Sequence, residues 1–469
     1  MTMPIGRANS AGPSAENRTP DKALRINLDH SFYGTFAEIG AGQEVANWFF
    51  RVGGAAGTVA KSMSAYDMTM SDAIYGKTAR YVSRQRLLHM LDHEWEILLA
   101  RLGPGRGRDT RFFVLADTVK ARGFNDTGEC HGWLGVRFQF KPGGPPNDIL
   151  VHARLLDESA AQQREALGVL GVNLLHAIHS SACSPEELCQ VLLDGMTRRR
   201  IEIDMLKCHG PDFHGMDNRL CALLLVERGL ADAAMFTASG EVVQAAEALY
   251  KRPVAALRGD FRPPTLVHLD MLARTKELMD RSGGADVVEL AELTMNNLLH
   301  QGDAVDKADF LDRAQMLQSL GKSVMISNFA EFYRLAAYLH RSNDAPVGLA
   351  VGVSLLETLF EEKWYGDLEG GALEGFGRLF KNGVTLCVYP RGDNGRQLGI
   401  DDAHLPVLMR PLFDFLRAHN RIAGLQCAVP DALPFTPNDV REFLLNGDKR
   451  WKNLVPPELE AHLFANRQL

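Results

Sequence analysis

The chain reads as an α/β protein with a mostly parallel, doubly wound sheet, preceded by a smaller α+β region with antiparallel strands. Two observations predict this. From residue 218 onward, short apolar runs (AAMFTASG, PVAALRG, SVMISN, PVGLAVGV, VTLCVYP) alternate with segments of helical period such as EVVQAAEALYK, EFYRLAAYLHR and SLLETLFEEK. Strands that alternate with helices imply parallel strands joined by crossovers. Earlier, FFVLADTV, WLGVRFQF and DILVHARLLD follow one another with only turn-rich spacers such as KPGGPPND, which predicts an antiparallel sheet.

At 469 residues the chain is long enough for two or three cores. The reading places a small, polar, proline-bearing tail at 1–22, an α+β domain at 23–195 and a doubly wound domain at 196–390. A mostly helical insert interrupts the latter at about 263–319, and a helical appendage follows at 391–469. Hydrophobic residues make up 46% and charged residues 23%, the balance of a soluble globular protein. A net charge of −7 argues against a nucleic-acid partner, which needs a basic surface. The one basic run, Arg198, Arg199 and Arg200, reads as a solvated helix end. No apolar run approaches the ~20 residues of a membrane span, and the tail lacks the apolar stretch of a leader. Seven cysteines without a CxxC pair fit free thiols in a reducing compartment, so the cytoplasm is expected. The C-terminal part offers a surface for a homo-oligomer.

Residues 24–102 read as mainly helical. The clearest helix, 83–102, carries Leu87, Leu88, Leu91, Trp95, Leu98 and Leu102 as an apolar stripe. His89, His93 and Glu94 invite comparison with HExxH, but Ile97 stands where the second histidine belongs, so exposed histidines are the better reading. Before it, Gly40, Gly42 and Val45 approach a dinucleotide fingerprint without its third glycine. Gly53, Gly54, Gly57, Lys61 and Ser62 approach a phosphate loop, with Ala60 in place of the needed glycine. Ser184, Pro185 and Glu187 spell a capping box, and Thr436 with Pro437 opens a late helix. The acidic run around Trp364 and Tyr365 reads as a solvated loop and helix face.

The densest polar stretch is IEIDMLKCHGPDFHGMDNR, residues 201–219. Ile201, Ile203 and Met205 alternate with Glu202 and Asp204, as in a strand with one polar face. The following turn gathers His209, Asp212, His214 and Asp217, and Asp217 or Asn218 can cap the next helix. Asp204, His209, Asp212 and His214 are the candidate catalytic residues, since a histidine beside a carboxylate can move a proton. The set also allows a divalent metal, whose identity the spacing leaves open; no cofactor is specified. The bland alternative is a polar loop that bonds its own backbone.

In a doubly wound sheet, ligands bind beyond the carboxyl ends of the strands. Thr237 and Ser239, Arg258 and Asp260, Ser327 and Asn328, and Ser354 stand at predicted strand ends. Ser327 and Asn328, read as opening a helix, suit a phosphate, and with Thr237 and Ser239 they form the candidate cofactor-binding set. The strand followed by Ser-Asn resembles the second motif of haloacid-dehalogenase-like phosphatases. MFTASGEVV resembles their first motif, with Thr237 and Ser239 in place of both aspartates. The strand 201–206 is expected to open this sheet, which would bring His209, Asp212 and His214 near Ser327 and Asn328.

AEIGAGQEVANWFF, GGAAGTVAKSMSAYDM, ECHGWLGVRFQF, RIEIDMLKCHGPDF, FTASGEVVQ, MISNFAEFYRLAAYL and YGDLEGGALEGFGRLFKN together resemble a family of uncharacterised bacterial proteins. Two names are loosely attached to that family, nicotinate-nucleotide adenylyltransferase and TonB-dependent receptor. The receptor name implies a leader and barrel strands, and the sequence predicts neither. The transferase name implies an (H/T)xGH motif and an ISSTxxR-like segment, which the sequence lacks. The functional expectation is a soluble protein that binds a phosphorylated, nucleotide-like small molecule, with nucleotidyl or phosphoryl transfer as the chemistry. The alternative is a non-catalytic scaffold or sensor on a degenerate enzyme fold.

Overall fold

The structure, a computed structural model, describes residues 18–125, 128–280, 286–299, 304–341, 343–393 and 395–465. The tail expected over 1–22 lies outside the described residues as far as residue 17. Thr19–Asn27 is a helix, and its Lys22 is buried. The chain divides into two compact units, Met1–Ala231 and Asp232–Leu469.

The first unit holds β1 (Phe32–Ile39), β2 (Val59–Ser64), β3 (Arg111–Lys120), β4 (His131–Phe138), β5 (Asn147–Leu155) and β6 (Ile201–His209). They form one sheet in the order β2-β1-β3-β4-β5-β6. β1 pairs parallel with β2 and β3, and β3 to β6 pair antiparallel in sequence. The antiparallel trio read from sequence is β3, β4 and β5. β1 and β2 lie where a mainly helical stretch was expected. Gly34 and Thr35 interrupt the aromatic residues of β1, and β2 is polar and has no buried residue, so neither shows clean alternation.

One face of this sheet packs against helices Gln43–Val52, Ala160–His179 and Asn218–Glu227, in a core that includes Phe36, Leu115, Leu134, Val151 and Leu170. Gly168 and Gly171 let Ala160–His179 approach Gln43–Val52, since a Cβ at Gly171 would fall 2.6 Å from Val45. On the other face, helix Arg84–Arg106 packs on β3 and β4, with Leu87 and Leu91 over Gly135. Ser83 caps it, its side chain accepting from the Arg86 amide.

Two expectations about residues 201–209 are corrected. The strand does not open the doubly wound sheet; it is the edge of the first sheet, antiparallel to β5. It also carries a bulge: His152 pairs with Met205 and Ala153 with Ile203, so Asp204 has no partner residue. The core accordingly takes Ile201 and Ile203, then Leu206 and Cys208. Met205 leaves the face on which alternation had placed it, because one extra residue inverts the parity of everything after it. The division after Ala231, in place of one after residue 195, follows from this pairing.

The second unit holds β7 (Ala233–Phe236), β8 (Val242–Val243), β9 (Val254–Arg258), β10 (Val288–Thr294), β11 (Ser323–Ser327), β12 (Val347–Gly352), β13 (Val384–Tyr389), β14 (Arg391–Asp393), β15 (Arg396–Leu398) and β16 (Ile422–Gly424). Eight of them form a sheet in the order β16-β13-β12-β9-β10-β11-β7-β8, and β14 and β15 form a separate hairpin. β9 to β13 and β16 run parallel, and β7 is antiparallel to β11. From β9 the chain winds outward through β10 and β11, then returns to β12 beside β9 and winds the other way. Helix Leu266–Asp280 packs on β9 and β12, whereas Phe332–His340, Gly371–Leu379 and Arg410–Ala418 share a core with Val254, Ala256, Leu349 and Leu386. The unit is therefore doubly wound, with the reversal between β9 and β12.

The helical insert expected at 263–319 contains β10, a central strand. Glu289 and Glu292 break its apolar run, and both find cationic partners in the fold, Lys276 and Lys322 for one and Arg258 for the other. The C-terminal appendage likewise supplies β16. Among the described residues no helix is long and apolar enough to cross a membrane. All seven cysteines are free, and only Cys427 is not fully buried.

Candidate functional site

In the first unit, three strands bring together residues that are far apart in sequence. His152, on β5, makes a 2.5 Å contact from Nδ1 to Asp204 Oδ1 of β6, and its Nε2 lies 3.0 Å from Nδ1 of His131 on β4. His152 and Asp204 are buried, and His131 is half-buried. The Trp133 ring packs 5.0 Å from the His152 ring. The bulge at Asp204 makes this reach, since it turns the carboxylate out of the ladder toward β5. Burial and the neighbouring His152 push the His131 imidazole down to about 4, so it is neutral near pH 7.

The other residues of the 201–219 stretch stand apart from this relay. His209 and His214 are exposed and line one hollow with Cys208, Gly210, Pro211, Phe213, Met216 and Asn218. Asp212 is turned to Asn147, accepting from Nδ2 at 2.8 Å while its own amide donates to Asn147 Oδ1 at 3.0 Å. Asp217 caps helix Asn218–Glu227 and pairs with Arg219. Asn218 bonds the backbone of Cys208 through both ends of its amide. Among the described residues no group of three or more His, Cys, Asp or Glu could hold a metal ion.

At the parallel strand ends of the second unit, Arg258 Nε and Nη2 donate to Glu292 at 2.8 and 3.1 Å, and Ser327 Oγ donates to the same carboxylate at 2.6 Å. Arg258 also reaches the Ala330 carbonyl and lies over the Phe332 ring. Glu292 and Ser327 are fully buried. Asn328 and Ser354 are exposed, and Arg391 Nη1 donates to Ser354 Oγ and Glu357 at 3.1 Å.

Ser327 and Asn328 do not themselves open a helix: Phe332–His340 begins four residues later, with Glu331 as its N-cap. Thr237 and Ser239 bond each other at 2.8 Å in the turn between β7 and β8. Because β7 runs against β11, with Phe236 beside Val324, that turn lies at the opposite edge from Ser327. The shared edge expected for the two pairs is corrected by this reversal. His209, Asp212 and His214 likewise belong to the first unit and Ser327 and Asn328 to the second, so no single sheet edge gathers them.

Sequence reasoning did not single out His152, Glu292 or the use of His131. Their only signal was polarity inside otherwise apolar strands, at positions 131, 152 and 292.

No protein-family model matches the chain, and no curated protein matches it. Among solved structures it is similar to the competence/damage inducible protein CihA from Agrobacterium tumefaciens, at 18% identity, 36% of this chain, 99% of that chain and a TM-score of 0.25. A competence-damaged protein (CinA) superfamily protein from Enterobacter cloacae matches at 15% identity, 38% of this chain, 98% of that chain and a TM-score of 0.26. One from Escherichia coli matches at 13% identity, 38% and 99%, with a TM-score of 0.24.

Proposed function

We propose that the second unit binds a phosphorylated, nucleotide-like small molecule beyond the carboxyl ends of β9 and β12. The observation that carries this is the strand order. Winding outward from β9 through β10 and β11, then back through β12 and β13, is the strand order in which ligands bind at the point of reversal, between loops that leave on opposite faces. Polar groups stand at these ends: Arg258 and Asp260 after β9, Asn328 after β11, Ser354 after β12 and Arg391 after β13. Pro263 and Pro264 deprive the loop after β9 of two amide donors, so side chains rather than a glycine loop would hold the phosphate. Asn328 is the exposed donor of the expected pair. Ser327 supports it from beneath, by bracing Glu292 and through it Arg258. The nucleotide-related name attached to the resembled family points the same way, although its motifs are absent.

A second reading, ligand binding without catalysis, is favoured by the position of Thr237 and Ser239. The hairpin holds them away from the edge where phosphatase chemistry would occur.

A thermal-shift series with ATP, ribose 5-phosphate, glucose 6-phosphate and inorganic phosphate tests the proposal. A ligand at 100 times its Kd stabilises the native state by about 2.7 kcal/mol. At least one organic phosphate should raise Tm, and Arg258→Gln or Asn328→Ala should remove the rise. Wild type unmoved by all four, or variants that respond equally, would defeat this reading.

A further inference from the structure

We propose that His131 is a general base for hydrolysis of a small carboxylic ester or amide at the strand-end edge of the first unit, with His152 and Asp204 as its positioning residues. This site is separate from the ligand crevice proposed for the second unit and does not depend on it.

The relay is assigned one direction, from His131 through His152 to Asp204. As a carboxylate Asp204 accepts, and the 2.5 Å contact then has Nδ1–H of His152 as its donor. The proton of the 3.0 Å contact is assigned to His131, whose Nδ1–H donates to Nε2 of His152. Neutral His131 is left with its lone pair on Nε2, the nitrogen that faces away from the relay. A buried carboxylate thus sets the tautomer of an imidazole two hydrogen bonds away, which is the positioning logic of a nucleophile–base–carboxylate array with a second imidazole added. The bulge supports a functional reading. A regular β6 would keep its ladder intact, whereas here a pairing is given up and Asp204 is re-aimed at His152.

The chemistry of the surroundings selects acyl over phosphoryl transfer. Phosphoryl oxygens need uncommitted cations or a metal. Arg154, which pairs with His131 across the ladder, is engaged by Glu129 and Glu202, and the described residues hold no cluster fit for a metal. Water is the nucleophile, because the neighbouring Cys130 is buried and its thiol turns to the Gly128 carbonyl. In the first step a water proton passes to His131 Nε2 as the water oxygen bonds the carbonyl carbon. The tetrahedral oxyanion then collapses, the bond to the leaving oxygen or nitrogen breaks, and the imidazolium returns its proton to that atom. Glu129, Lys120, Asp204 and His152 are the charged and titratable groups acting on the ring. Burial outweighs the two carboxylates and keeps it neutral down to about pH 4.

The test uses the full chain, with p-nitrophenyl acetate as the probe and 15N-histidine NMR as a second readout. Wild type should hydrolyse the ester, with an acid limb near pH 4 rather than near 6.5. His131→Gln should lower the rate about 100-fold. Asp204→Asn should match it while remaining folded by circular dichroism. An amide NH2 facing Nδ1 of His152 reverses both tautomers and puts the proton on His131 Nε2. The NMR spectrum should show that nitrogen bare in wild type and protonated in Asp204→Asn. A protonated Nε2 in wild type, an unchanged tautomer in Asp204→Asn, or ester hydrolysis untouched by His131→Gln would each overturn the proposal. Zinc that quenched the reaction by binding His131 and His152 at stoichiometric concentration would replace it with a metal site.

Discussion

Asp117 stands opposite Glu38 across the parallel β1–β3 ladder, and both carboxyls are buried. Both oxygens of Asp117 and one of Glu38 have no hydrogen-bond partner among the described residues. Burial raises both groups: Glu38 to about 7, against a hydrogen bond donated by the Ala46 backbone N–H that lowers it, and Asp117 well above the carboxylate range, with Glu38 adding to it.

This pair gives stability a pH slope of defined sign. The folded state keeps protons that the unfolded chain has lost, so stability is highest below the unfolded value of 4.5 and falls as pH rises toward 7. For Glu38 alone that window corresponds to a loss on the order of 3 kcal/mol. Between pH 5 and 8 the thermal midpoint of wild type should fall relative to that of Glu38→Gln/Asp117→Asn, whose curve keeps only the opposite rise from histidines such as His131, His176 and His268 that burial holds neutral. Parallel curves for the two proteins would sink this account.

Gly42 is needed for space rather than for its dihedral angles. A Cβ there would lie 1.8 Å from Asp117 Oδ2, and the buried carboxyl has no room to retreat. Gly42→Ala should cost about 2 kcal/mol of stability, read by urea unfolding. Gly103→Ala is the control: nothing lies within 4 Å in helix Arg84–Arg106, and the change should be neutral or add about 0.5 kcal/mol.

Ser327 and Asn328 should separate in experiment. Ser327→Ala removes one of the two hydrogen bonds to the fully buried Glu292 Oε1, leaving only Arg258 Nη2, and should lower stability by about 1 kcal/mol without ligand. Asn328→Ala alters an exposed side chain and should leave the melting point of the free protein within a degree or so of wild type. Equal midpoints for the two variants would show that Ser327 does not brace the edge.

Asn218 closes the turn after β6 by occupying the backbone N–H and C=O of Cys208 at 2.7 and 2.9 Å. Asn218→Ala should cost about 1–3 kcal/mol and loosen the hollow lined by His209 and His214. Hydrogen exchange at the Cys208 amide should accelerate; an unchanged rate would mean that another group protects it.

Much of this architecture was legible in sequence because it rests on local rules. The winding of β9, β11, β12 and β13 shows as alternating apolar strands and amphipathic helices, and the caps at Ser184, Asp217 and Thr436 show as spaced polar residues. What was hidden depended on distant partners. β10 reads as charged until Arg258, Lys276 and Lys322 neutralise it. Thr237 and Ser239 are misplaced unless β7 is known to run backward. Asp204 was marked as a candidate for its place in a polar stretch. Its work depends on a register shift at His152, and no spacing along the chain encodes a bulge paired with another strand.

The eight-stranded sheet ends on one side at β8, two residues long, and on the other at β16, three residues long. Such ends expose few unpaired amides and carbonyls to a second molecule. With β11 covered by the reversed hairpin, the long apolar strands of this unit are all interior, and the sheet offers little template for edge-to-edge polymerisation. Removing the β7–β8 hairpin should therefore show first as fibrous aggregation.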